Sequence, residues 1–429
     1  MDSLSAQPGL RPLLVAEIAS SFALAVQAMA IPWLVLTNGG SATDVGVVMT
    51  AGLAPAIVLG IPLGGLVERV GARRWMIGSD VVSVALVAAI VTLAEADALP
   101  LWALASLVFV LGSLRTPYMG SQQELLSKLV GDRESLLARA TSILQGANRT
   151  SLLLGPPIAG VLVTAMGAAP TLLVTIATLI VVIAILRLAV PRETRQAAAA
   201  RPRLLDGLRE LRRDRLVSSW ISASTFSEAA YQALFVAIPI LTVHRYDATA
   251  AAAGVLTGAF GGGAVAGSFA AMALASRVRS VRLALAGKFL QALTFVGLIL
   301  AVPLWGAVAL IAALGVANGL TNGPSSAVMI PRLGERHRGN ALTAAATIIM
   351  SGGAVGSAAA GPALDHTSAE ALFTVAAILM GVSCALYVRG AVLASRGGTP
   401  PASEGSWDRP DSETDRVGSV AGRASRTTR

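Results

Sequence analysis

Hydrophobic runs of about 20 residues recur along most of this chain, each long enough to cross a hydrocarbon core of about 30 Å. Inside such a core every backbone N–H and C=O must be bonded within the chain, so only helices and closed barrels are admissible. The alternation of apolar and polar residues that a barrel needs is missing. Composition agrees. The 429 residues are 54% hydrophobic and 13% charged, whereas a soluble chain carries about 25% charge. An all-α, polytopic membrane protein is expected.

Twelve spans can be threaded: about Leu13–Leu36, Asp44–Val67, Trp75–Ala94, Leu101–Gln122, Ala138–Thr164, Pro170–Val190, Leu216–Val243, Ala250–Leu274, Leu283–Val302, Trp305–Val328, Ala341–Leu364 and Ala371–Leu393. Basic residues crowd alternate loops, at Arg69/Arg73/Arg74, Lys128/Arg133, Arg192 to Arg215, Arg277/Arg279/Arg282 and Arg332/Arg336/Arg338. The opposite loops hold only Arg245. That asymmetry places both termini in the cytoplasm, with the chain in the plasma (inner) membrane. The expected organisation is a short cytoplasmic N-terminus (1–12), a six-helix bundle (13–190), a cytoplasmic linker (191–215), a second six-helix bundle (216–393) and a polar, disordered tail (394–429). In the linker, "RPRLLDGLRELRRDRL" puts Leu204, Leu205, Leu208 and Leu211 on one helical face. It reads either as a helix lying on headgroups or as a solvated linker.

The net charge of +9 would suit nucleic acid, but its confinement to one set of loops is the membrane-orientation pattern. The one cysteine, Cys384, permits no internal disulfide. His244, His337 and His366 are scattered, so no metal site is expected. No nucleotide loop, nucleophile elbow or metalloprotease motif is present, so neither catalytic residues nor a cofactor are expected. The N-terminus lacks the basic segment and cleavage site of a removed signal, so the first span is expected to be retained.

The two halves match at an offset near 207. Ile31-Pro32 returns as Ile238-Pro239, "GSLRTP" from Gly112 as "GLTNGP" from Gly319, and Arg69 and Arg74 as Arg277 and Arg282. "GPPIAG" from Gly155 is echoed by "GPAL" from Gly361. Duplication of a six-span unit, with a site between the copies, is a transporter architecture.

The loop "GGLVERVGARRW", Gly64 to Trp75, resembles the signature after the second helix of the major facilitator superfamily. Gly64, Leu66, Arg69, Gly71, Arg73 and Arg74 match. Glu68 stands where Asp is usual, and Ala72 where a base is usual. "GPPIAG", with Gly155, Pro156 and Gly160, resembles the exporter element of the fifth helix, with Ala159 replacing one glycine. The stretch from Gly112 through Gly160 and "SATDVGVV" from Ser41 look most like the macrolide- and siderophore-exporter branch of the drug:proton antiporters. The resemblance implies two pseudo-symmetric six-helix bundles. It implies a gating network around Gly64, Glu68, Arg69, Gly71, Arg73 and Arg74, which Asp80 can join. It also implies a central cavity lined by spans one, four, seven and ten. A charged network that forms in one conformation and breaks in another is what alternating access requires. The alternative is that these arginines only set orientation. For the fifth span the alternative to a cavity-closing kink is plain helix packing.

Charges inside the spans need partners or water. Arg139, Arg187, Lys288 and Arg389 lie near span ends and can snorkel. Glu17 and Asp80 sit about a turn inside, where water can reach them. Arg115 lies about 10 Å and Arg149 about 16 Å inside their spans. A polar cavity is expected around both, with Glu17, Glu228 or an anionic substrate as partner. Glu228 is deepest, about 18 Å inside span seven, in a stripe with Ser224, Thr225, Tyr231 and Gln232. Span one offers Glu17, Ser20, Ser21 and Gln27, and span ten Asn318 and Asn322. The expected cavity therefore contains Glu17, Gln27, Ser224, Glu228, Gln232, Asn318 and Asn322. Glu228, Arg149 and Arg115 are the expected proton-coupling set. A carboxylate in low dielectric can hold a proton or a substrate, giving antiport by mutual exclusion. A permanently protonated Glu228, or one paired with Arg149, remains the other reading.

The resulting expectation is a secondary active transporter with no enzymatic activity, coupling proton entry to efflux of an amphipathic small molecule. Uptake of a metabolite is the alternative within transport, and a receptor or scaffold the alternative outside it. Expected partners are the small-molecule substrate, protons and the lipid bilayer, but no nucleic acid. A monomer is expected to suffice.

Overall fold

The computed structural model describes residues 9–59, 70–130, 134–191, 204–334 and 337–396. Among these residues the long elements are all helices. They are α1 (Leu10–Thr37), α2 (Ala42–Val58), α3 (Ala72–Glu95), α4 (Leu101–Val130), α5 (Glu134–Met166), α6 (Ala168–Leu188), α7 (Leu204–Arg213), α8 (Arg215–His244), α9 (Ala250–Leu274), α10 (Ser280–Ile299), α11 (Leu304–Met329), α12 (Arg338–His366) and α13 (Ala369–Arg396). Eleven are long and apolar enough to cross a membrane; α2 is apolar but shorter over its described part. Together they are the twelve expected spans, with α7 in the linker. The ends of α4 and α5 run further than expected, to Val130 and back to Glu134.

Helix boundaries follow local chemistry. Gly39, at φ +77°, turns the chain after α1. Ser41 then starts α2 with a capping box: its hydroxyl accepts the Asp44 N–H (3.2 Å), and the Asp44 carboxylate accepts the Ser41 N–H (2.8 Å). Pro32 and Pro239 recur at matched places inside α1 and α8. Each deletes one backbone bond, which a span tolerates where neighbouring helices cover the gap.

The duplication is visible as a repeated contact pattern. In the first half α1 lies on α5 and α6, α2 on α4, and α3 on α4 and α6. In the second, α8 lies on α12 and α13, α9 on α11, and α10 on α11 and α13. The halves meet mainly along two crossings, α5 with α9 and α2 with α12. Both are tight at the end opposite the linker. A Cβ on Gly160 would lie 2.4 Å from the Ala250 carbonyl oxygen, and one on Gly361 would lie 2.5 Å from that of Ala42. One turn further in, Gly254 meets the Pro156 carbonyl and Gly46 that of Ser357.

These matched contacts correct the register of one repeat. Gly155 packs on Ala25 and Gly356 on Ala229, while Gly160 and Gly361 close the two crossings. The counterpart of "GPPIAG" is therefore "GSAAAG", Gly356 to Gly361, and not "GPAL". Proline drew the sequence alignment one turn too far, whereas small residues at helix crossings are what the packing conserves.

The linker helix α7 has one face on the protein. Gly207 abuts the Asn340 backbone, Glu210 accepts the Gly334 N–H (2.9 Å), and Leu211 is buried. Arg209, Arg212 and Arg213 face outward. Arg332 pairs with Asp214, the N-cap of α8, at 3.0 Å.

Candidate functional site

A cavity of 360 Å³ lies within the first half. Its walls come from α1, α2, α3, α4 and α6, and α8 contributes only Gln232. Most of the lining is apolar, including Ala23, Leu24, Leu53, Val108, Leu111 and Leu179. The polar exceptions include Ser20, Gln27, Ser79, Asp80, Ser83, Arg115 and Tyr118. Of the spans expected to line a central cavity, one and four line this one, seven reaches it through Gln232, and ten does not.

The polar wall is organised around Tyr118. Its hydroxyl donates to Glu17 Oε1 at 3.4 Å, and Asp80 lies beside the same hydroxyl. The Arg115 guanidinium sits over the Tyr118 ring at 5.6 Å. Glu17 is 3% exposed and Asp80 4%. Among the described residues, Asp80 Oδ2 has no hydrogen-bond partner. Glu17 and Asp80 read separately as span-end carboxylates, but three helices bring them to one tyrosine. Both carboxylates are buried beside one guanidinium, that of Arg115. Such a group can take up a proton or meet a cationic group of a ligand. Tyr118 lies one turn beyond Arg115 on α4, the one hint of it in the sequence.

Other expected site residues are dispersed. Glu228 accepts a bond from Gln232 Nε2 at 2.9 Å, so the amide that reaches the cavity also holds this carboxylate. Ser224 turns towards α13, bonding the Trp220 carbonyl and approaching the Tyr387 hydroxyl at 3.5 Å. Asn322 donates to Asn318 at 2.9 Å, away from the cavity lining. Arg149 is half-buried on α5, and among the described residues no carboxylate lies within ion-pair distance of it. Neither Glu17 nor Glu228 is its partner. Its neighbour Asn148 accepts from Ser21.

Of the expected gating loop, Gly64, Glu68 and Arg69 lie outside the described residues. Gly71 enters α3 at φ +91°. Arg73 donates to the carbonyls of Leu186 (3.0 Å) and Arg187 (2.9 Å), capping the C-terminus of α6. Arg74 is exposed. Asp80 belongs to the cavity wall. Gly155, Pro156 and Gly160 all pack in helix crossings, with Gly155 on α1 and the other two on α9.

Lys288 is a correction. It does not snorkel: it is 4% exposed, between α8, α10 and α13. Its ammonium donates to Ser227 Oγ (2.6 Å) and lies 5.0 Å from the Tyr387 ring centroid. Ser227 bonds Ser383 at 2.7 Å. The sequence marks Lys288 only by the rarity of lysine here.

The chain matches the Major Facilitator Superfamily over residues 13–357 and 226–421. It is 31% identical over 167 residues to the multidrug efflux pump Tap of Mycolicibacterium fortuitum, covering 38% of this chain and 41% of that protein. It is 25% identical over 166 residues to Tap of Mycobacterium tuberculosis, covering 38% and 40%. The chain thus spans about two fifths of the length of these curated relatives. Among solved structures, it resembles the nucleoside transporter NupG with a TM-score of 0.70 at 12% identity, covering 90% of this chain and 98% of that one. A bacterial homologue of the iron transporter ferroportin gives 0.71 at 12% identity, covering 89% and 98%. These likenesses are of fold.

Proposed function

Because this chain belongs to the major facilitator superfamily, and is therefore a multi-pass, non-enzymatic transport protein, we propose that it exports amphipathic small molecules in exchange for protons by alternating access. The observation that carries this reading is the pair of buried carboxylates at the polar wall of a mostly apolar cavity: Asp80 lines it, and Glu17 lies behind the lining, bonded to Tyr118. The apolar walls receive the ligand body. The carboxylates take a proton or a basic ligand group, not both. Gln232 joins the cavity to Glu228, so the charge state of Glu228 is felt by the ligand, and Arg115, over the Tyr118 ring, balances charge at the carboxylate wall. The export direction draws on the Tap relatives.

Both termini lie in the cytoplasm of a plasma (inner) membrane, on the argument from basic loops. The halves then close at the extracellular end, leaving the cavity to be served from the cytoplasm. The same reading keeps two bundles, a linker and a tail, with a single chain as the transporting unit. Protons, the ligand and lipid are the partners.

The test uses inverted and right-side-out vesicles with ethidium as the probe. An imposed pH gradient should drive ethidium into inverted vesicles. Accumulation only in right-side-out vesicles would establish uptake instead. No gradient-dependent movement in either would favour a receptor or scaffold.

A further inference from the structure

The closed end carries two side-chain locks related by the internal repeat. At the α2–α12 crossing, the Asp365 carboxylate of the second half accepts the N–H groups of Ala42 (3.1 Å) and Thr43 (2.8 Å) and the Thr43 hydroxyl of the first. At the α5–α9 crossing, Thr164 Oγ1 of the first half accepts the Ala251 N–H (3.0 Å) of the second. Each lock lies one turn beyond the glycine that closes its crossing, Gly361 or Gly160. In both, the C-terminal end of one half's helix supplies an acceptor to the N-terminal turn of the other half's helix.

The first N–H groups of a helix have no intrahelical carbonyl to meet. Ser41 and Asp44 satisfy each other's N–H groups through the capping box, and Asp365 satisfies the two between them. The α2 terminus is thus completed only while the halves are closed. At α9 the N-cap Thr249 makes no side-chain cap, so Thr164 supplies one from across the seam. The locks are unequal. Asp365 brings a charge to the positive end of a helix and accepts three bonds; Thr164 is neutral and accepts one.

We propose that Asp365 and Thr164 are positioning residues of the transport cycle that hold this end shut, with Asp365 the stronger. The inference rests on the alternating-access reading. Opening hands the Ala42, Thr43 and Ala251 N–H groups to water, so the two locks set how often the end opens.

The test is a distance measurement between spin labels in the full chain in lipid nanodiscs. Glu95→Cys and Thr367→Cys carry the labels, and Cys384→Ser removes the native thiol. The unaltered locks should give a major short and a minor long distance. Asp365→Asn should raise the long-distance population about fivefold, the scale of losing a helix cap. Thr164→Val should raise it about twofold, the scale of one neutral bond. Thr164→Asp, which copies the charged lock onto the neutral side, should lower it and slow ethidium export; a merely structural threonine would not respond so. Populations unchanged in Asp365→Asn, or raised in Thr164→Asp, would overturn the locks while leaving the transport reading intact. A single distance in every variant, together with no ethidium movement, would overturn the alternating-access reading itself.

Discussion

The two halves share a contact pattern but not a chemistry. In the first, Glu17, Asp80, Arg115 and Tyr118 gather in or beside the cavity wall. In the second, Lys288, Ser227, Ser383 and Tyr387 gather inside the bundle, away from that cavity. The small residues at the crossings recur because both halves need the same helix approach. The ionisable residues do not recur. At the offset that pairs Pro32 with Pro239, the counterpart of Glu228 is Ser21, a neutral residue. Duplication supplied a symmetric scaffold, and divergence put two buried carboxylates at the cavity wall in one half and a buried lysine among hydroxyls in the other.

The sharpest way to break this contrast is to neutralise the first-half pair. Glu17→Gln with Asp80→Asn should lower pH-driven ethidium export about a hundredfold, the lower end of what a positioned proton-transfer group contributes. Export at the unaltered rate, measured in inverted vesicles, would end the assignment of coupling to this half. In the second half, Lys288→Ala should cost stability instead. It leaves a void and removes one of the bonds that Ser227 makes, at about 2 kcal/mol. Lys288→Met, which keeps the volume, should cost less, and neither should change ethidium affinity. Thermal unfolding and ligand titration in detergent separate the two effects; weakened binding in Lys288→Met would make the second half part of the site.

Glu228→Gln tests the link between the halves. Gradient-driven export should fall about tenfold, or about 1.4 kcal/mol in the barrier, with binding retained because Gln232 still lines the cavity. Undiminished export would isolate Glu228 as a structural carboxylate. The smallest effect is expected at Arg73→Ala, which removes two bonds to the end of α6 and costs about 1 kcal/mol of stability. Transport should survive it. Lost export at unchanged stability would assign Arg73 a gating role.

Much of the fold was legible because its signals are local. A run of apolar residues, a basic loop, or a Ser-x-x-Asp cap is readable within a few residues. The candidate site was legible only in part. Gln27, Gln232 and Arg115 do meet the cavity, and Asp80, expected in the gating network, lines it as well. Asn318 and Asn322 share a helix face but not the cavity, because helical spacing says which residues share a face and not what that face meets. Lys288 was misread for a related reason: distance from a span end predicts snorkelling only if the side chain faces lipid, and this one reaches Ser227 of α8 and Tyr387 of α13.

By itself the sequence determined a helical, duplicated, membrane-spanning chain, since a hydrocarbon core leaves the backbone no other choice once barrels are excluded. Its signature loops also marked the family. Only the tertiary structure decided that Glu17 bonds a tyrosine of the cavity wall that Asp80 also lines, that Lys288 is enclosed, and that Asp365 completes the N-terminus of a helix in the other half. These are contacts between distant segments. Their geometry is set by how closely small residues let helices approach, and no local pattern encodes which faces will meet.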